Sequence, residues 1–146
     1  MAKNAVPSKR YVLAGKNYTI NSKHRNGVPK SDCTQWIVSE KEETDFFCGS
    51  VSKSLQCAKN NYWWVEFDAS NKKLKIIGKT DAKYAFIAKF VADNNNLWHG
   101  YPVTAERSPY DVPPTNVLNY WREQSHLSKQ EVCDIKRGRG YAKNIV

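Results

Sequence analysis

The side chains in this chain with chemistry to offer are three histidines, a few cations beside them and a dense set of aromatics. His99 stands in Leu97-Trp98-His99-Gly100-Tyr101-Pro102-Val103, His24 precedes Arg25 in a polar basic loop, and Arg107 follows the His99 segment. An imidazole titrates near neutral pH and so can take or give a proton under ordinary conditions. A guanidinium stays charged and offers a planar fork of donors, which suits phosphate oxygens. A base, an acid and a cation at the phosphate are what RNA cleavage through the 2′-hydroxyl requires. His99, His24 and Arg107 are therefore the candidate catalytic set, with His126 the remaining histidine. The competing reading of His99 is a histidine satisfied at the rim of an aromatic core. Spacing alone brings no two of the histidines together.

A second set suits binding. Tyr62 and Trp64 alternate on one face of the run Tyr62–Asp68, and Lys73 and Lys75 are expected on the same face after a turn at Ala69-Ser70-Asn71-Lys72. Basic side chains beside exposed aromatics make a platform on which bases stack. The rival reading places Trp64 in a second core layer beneath a helix. Trp98 and Tyr101 flank His99 in a segment that Gly100 and Pro102 make irregular, as an edge or a bulge that presents its side chains. Arg25, in a loop with an Asn26-Gly27 turn, is expected to be a reachable donor, as is His24. Lys136, Arg137 and Arg139 near the C-terminal end complete the candidate nucleic-acid-binding residues.

The formal charge is +9 over 146 residues, and its placement is more telling than its size. Residues 1–30 hold seven Lys or Arg and no acid, and residues 136–146 hold four and no acid. That leaves residues 31–135 with twelve bases and fourteen acids, a near-neutral body between cationic ends. Such ends suit a polyanion, whose condensed counterions they displace. The alternative is a merely solubilising surface.

These residues need elements to hold them. Tyr84 to Val91 alternates with period two and reads as a strand. Asp93-Asn94-Asn95-Asn96 reads as a turn, and Leu97 to Val103 as the returning partner. Shorter strands are expected at 10–15, 18–20, 34–38, 62–68 and around 74–76. Ser39-Glu40-Lys41-Glu42 matches a capping box, and Phe47, Val51 and Leu55 form a stripe, predicting a helix over about 40–58. Pro113-Pro114 opens a second helix that ends near Gln124. Ser128-Lys129-Gln130-Glu131 caps a third, which Gly138 stops. The pair over 114–137 resembles a helix-turn-helix in outline but lacks a diagnostic residue, and a helical hairpin packed on the sheet is the simpler account. The expected fold is α+β, one domain over 1–146: an antiparallel sheet of about five to six strands, one mid-chain helix and a C-terminal helical hairpin, with basic ends at 1–9 and 138–146.

No P-loop, dinucleotide fingerprint, zinc-protease motif or nucleophile elbow occurs. Cys33, Cys48, Cys57 and Cys133 form no C-x-x-C pair, so reduced thiols are expected, with no metal site and no cofactor. No early segment reads as a signal peptide and no stretch reaches membrane-spanning length, so the expected setting is cytoplasmic without membrane contact. The leading expectation is a small basic protein that binds RNA or single-stranded nucleic acid, with a nucleic acid or another polyanion as partner. Two alternatives stand beside it: a metal-independent ribonuclease using His99, and an inhibitor or immunity-type module that binds an acidic protein through its aromatics.

Overall fold

A computed structural model describes residues 9–56 and 61–144. Of the expected basic ends, residues 1–8 and 145–146 lie outside the described residues, as does Cys57. In chain order the elements are β1 (Lys9–Leu13), β2 (Lys16–Ile20), β3 (Gln35–Trp36), α1 (Glu40–Ser52), β4 (Tyr62–Val65), β5 (Phe67–Asp68), β6 (Lys73–Leu74), β7 (Gly78–Lys79), β8 (Lys83–Ala85), β9 (Ile87–Ala92), β10 (Leu97–Val103), α2 (Thr115–Glu123), α3 (Lys129–Lys136) and β11 (Ala142–Asn144). Short 3-10 turns lie at Ser22–His24 and Pro109–Asp111. The fold is α+β, with one mid-chain helix and two C-terminal helices, as expected.

The centre is the β9–β10 hairpin. Its turn is built by Asp93, whose Oδ1 accepts from the backbone N–H of Asn95 at 2.8 Å and of Leu97 at 3.0 Å. Asn96 closes the turn at φ 58°, a left-handed conformation that Asn tolerates. The main sheet runs β1-β2-β10-β9-β4. All its pairings are antiparallel except β2 with β10, which is parallel and sets Asn17 opposite Leu97 and Tyr18 opposite Trp98. The alternation in sequence does not distinguish the two directions, so this pairing is new information. A second sheet, β11-β8-β7-β3, and the two-stranded β5-β6 complete the strands.

The main sheet has an apolar layer on each face. Trp63, Val65, Ile87 and Val103 pack against Val117, Leu118 and Trp121 of α2 and Val132 and Ile135 of α3. Tyr62, Ala88, Phe90, Trp98 and Tyr18 pack on the opposite side with Phe46 and Phe47 of α1. Period-two alternation makes this division, because neighbouring residues of a strand point to opposite faces. The expected faces of 62–68 hold, but Glu66 interrupts the strand. β4 pairs with β9, whereas β5 alone forms the hairpin with β6.

Both predicted capping boxes are present, at Ser39 with Glu42 and at Ser128 with Glu131. The first helix stops at Ser52, short of the expected 58. Ser54 turns left-handed at φ 55°, Leu55 N–H donates to the Ser50 carbonyl at 2.9 Å and Ser54 N–H to Val51 at 3.1 Å. This is a Schellman ending built on serine where glycine is usual. Among the described residues no helix is long and apolar enough to cross a membrane.

Candidate functional site

On β10, Trp98 points into the α1-side layer, so His99 and Tyr101 point the other way. Gly100 lies between them because the Phe90 ring covers it: a Cβ there would fall 2.3 Å from that ring. His99 and Tyr101 form one wall of a cleft of about 450 Å³. Lys23, His24, Thr34, Arg107 and Asp111 also line it. Two stretches far apart in sequence, 23–34 and 99–111, thus supply it. His24, His99 and Arg107, the candidate catalytic set, are brought together, while His126 lies elsewhere, stacked on Phe67 at 4.6 Å.

His24 is fixed by its surroundings. The side chain of Asn21 accepts from Lys23 N–H at 3.1 Å and starts the 3-10 turn. His24 Nδ1 lies 2.8 Å from the Thr34 carbonyl. A carbonyl only accepts, so Nδ1 carries the proton and Nε2 is left as an acceptor. With 4% of its surface exposed, the ring is held neutral, and burial pushes its pKa down to about 4. It stacks on Tyr101 at 5.2 Å and lies parallel to His99 at 6.4 Å.

His99 is half-buried and makes no side-chain hydrogen bond to another described residue. Burial lowers its pKa, the Lys23 charge adds to this, and Asp93 opposes it. It is a neutral base at neutral pH. Burial raises the Tyr101 phenol to about 12, with Asp111 acting in the same sense and Arg107 against it. Tyr101 therefore keeps its proton and can only donate it. Arg107 donates through Nη2 to the Ser31 carbonyl, which steadies the guanidinium at the rim and leaves its other N–H groups free. Beneath, the buried Lys89 donates to the Tyr110 carbonyl at 2.6 Å and lies 3.4 Å from Asp111, anchoring the Pro109–Asp111 turn.

Two polar side chains, one buried and one partly buried, place the His24 turn, and both stood outside the candidate set or in another role. Gln35, fully buried, donates to the Lys23 carbonyl at 2.8 Å and accepts from the N–H groups of Asn26 at 2.8 Å and Gly27 at 3.0 Å. Its only signal in the sequence is a polar residue within a short strand. Arg25, expected as a reachable anion donor, is turned inward. Its Nε and Nη2 reach Glu43 at 3.1 and 2.8 Å, and its Nη1 donates to the Val38 carbonyl at 2.8 Å. Glu43 is 1% exposed and also accepts the Tyr18 hydroxyl at 2.5 Å. Burial raises the Glu43 carboxyl, and the Tyr18 and Arg25 hydrogen bonds oppose that rise. Arg25 thus ties the His24 turn to α1 and β2, and its charge is neutralised within the molecule.

The other candidates lie apart. Tyr62 and Trp98 are core side chains of the α1-side layer. Trp64 stacks on Phe46 at 6.2 Å and fills the space over Gly49, where a Cβ would meet its ring at 2.7 Å. The helix therefore covers the face on which a stacking platform was expected, which is the rival reading of Trp64. Lys75 pairs with Glu42 at 3.0 Å, and Lys73 is exposed in the β5–β6 hairpin. Lys136, Arg137 and Arg139 are exposed around the end of α3. Cys33, Cys48 and Cys133 are free thiols, and among the described residues no group of three or more His, Cys, Asp or Glu could hold a metal ion.

No protein-family model matches the chain, and no curated protein or solved structure does either.

Proposed function

We propose that this chain binds RNA and cleaves it through the 2′-hydroxyl in the cleft of His24, His99, Tyr101 and Arg107, acting in the cytoplasm. One observation carries the reading: a neutral histidine, a protonated tyrosine and two cations, Lys23 and Arg107, line one cleft formed by two stretches far apart in sequence. The chemistry needs a base, an acid and charge at the phosphate. His99 takes the proton of the 2′-hydroxyl, and the 2′-oxygen attacks phosphorus. The bond to the 5′-oxygen breaks, and that oxygen takes the proton of Tyr101, leaving a 2′,3′-cyclic phosphate. Arg107 and Lys23 face the charge that builds on the phosphoryl oxygens. His24, neutral and pinned through Nδ1, positions the Tyr101 ring by stacking.

The test uses a short single-stranded RNA and the same strand with 2′-deoxyribose throughout. The parent chain is expected to cut only the first, and His99→Ala to lose about 10²–10⁴-fold in rate, the usual worth of a general base. Because burial lowers the His99 pKa below 6.5, the acid limb of kcat/KM should fall below that value. Equal cleavage of both strands, or equal rates for parent and variant, overturns the proposal.

A further inference from the structure

A second depression, of about 600 Å³, lies between the β5–β6 turn and the α2–α3 connection. Lys72 comes from the turn, Lys73 from the start of β6, Arg122 from the last turn of α2, and Lys129 from the start of α3. All four are exposed, and none is in an ion pair among the described residues. That sets them apart from Lys9, Lys41, Lys75 and Lys83, each of which has a carboxylate within 3.4 Å.

The nearby carboxylates are held by hydrogen bonds and not by close ion pairs with these cations. Glu131, which lines the depression, accepts from Ser128 N–H at 2.7 Å and from the Tyr141 hydroxyl. Asp68, opposite Lys73 across the hairpin, accepts from the N–H groups of Ser70 and Asn71 and from the Asn71 side-chain amide. The His126 ring, stacked on Phe67, forms part of the wall. Four cations outside close ion pairs surround one concavity, against the Glu131 carboxylate in its lining and the field of Asp68 on Lys73, and this net positive charge suits a chain of phosphates, since a single anion would use only one or two of them.

We infer that this depression binds the phosphate backbone of single-stranded RNA and holds the strand away from the cleavage cleft. The inference rests on RNA being the ligand of the first cleft. It adds a binding surface on residues of which only Lys73 stood out in the sequence. Each phosphate neutralised on a single strand contributes about 0.7 to the slope of log affinity against log salt, so four contribute about 3.

The experiment compares the full chain carrying His99→Ala, which holds RNA without cutting it, with the same chain also carrying Lys72→Ala, Lys73→Ala, Arg122→Ala and Lys129→Ala. Affinity for a single-stranded RNA 20-mer is measured over a salt series. A slope lower by about 3 in the combined variant is expected, and an unchanged slope overturns the inference. These side chains are exposed, so the fold should tolerate the changes. In the His99 background without the alanine, cleavage of a dinucleotide reads the first cleft alone and should be unaffected by the four changes. A dinucleotide left uncut by the parent chain, with the slope still falling, refutes the cleavage reading and supports this one. A His99→Ala chain that does not retain the 20-mer, together with a parent that leaves it uncut, refutes both.

Discussion

The substitution His24→Asn isolates the buried imidazole that the cleft is built around. The amide nitrogen of Asn falls near the position of Nδ1, so the donor to the Thr34 carbonyl is kept while the titrating group is removed. In the fold, burial lowers the His24 pKa from 6.5 to about 4. The unfolded chain therefore takes up a proton that the folded chain refuses over that interval. The stability held by the neutral ring is complete above about pH 6.5 and is lost as pH falls toward 4. A shift of about 2.5 units corresponds to about 3 kcal/mol in full, of which about 2 kcal/mol disappears between about pH 7 and about pH 5. Urea unfolding followed by tryptophan fluorescence at those two pH values gives the stabilities directly. Glu43 works in the opposite sense, because its raised carboxyl favours the folded state as pH falls, but it is common to both chains and cancels in the comparison. The parent should lose about 2 kcal/mol more than the variant on acidification. Equal losses would show that the ring is hydrated in the fold and that the neutral-histidine account of the cleft is wrong.

Two further outcomes test what holds the site in place. Arg25→Met leaves the Glu43 carboxylate, 1% exposed, without its cation, and should cost about 3–5 kcal/mol in urea unfolding at neutral pH. A cost below about 1 kcal/mol would place the pair in solvent-like surroundings. Ser125, exposed at φ 62°, ends α2 in the left-handed conformation, so Ser125→Gly should raise the thermal midpoint through a gain of about 1 kcal/mol, and an unchanged midpoint would show that the serine meets no steric penalty there.

Much of this architecture was legible locally. The Asp93–Asn96 turn, the two capping boxes and the two-faced alternation of Tyr62 to Val65 depend on residues within a few positions of each other, and each formed as the pattern predicts. The missed features are non-local or carry no local signal. Helix α1 overran in the sequence reading because its left-handed terminator is Ser54, which nothing in its neighbourhood marks, whereas Gly138 announced the end of α3 correctly. Arg25 looked free because its acceptor, Glu43, is eighteen residues away on a helix that nothing local to Arg25 announces. The meeting of His24 with His99 follows from where Gln35 and Arg25 anchor one short turn against the sheet, a tertiary fact that periodicity does not encode. The buried fate of Tyr62 and Trp98 likewise depends on which side α1 packs.

The lone parallel ladder sets a timetable. It joins positions about eighty residues apart, so the β1–β2 hairpin cannot complete its place in the main sheet until β10 exists. Contact-order reasoning puts the tightly turned β9–β10 hairpin ahead of this long-range closure. During translation the first hairpin leaves the ribosome with an unpaired edge and a tyrosine, Tyr18, that the finished molecule buries completely. Most of the polypeptide must be synthesised before that edge finds its neighbour.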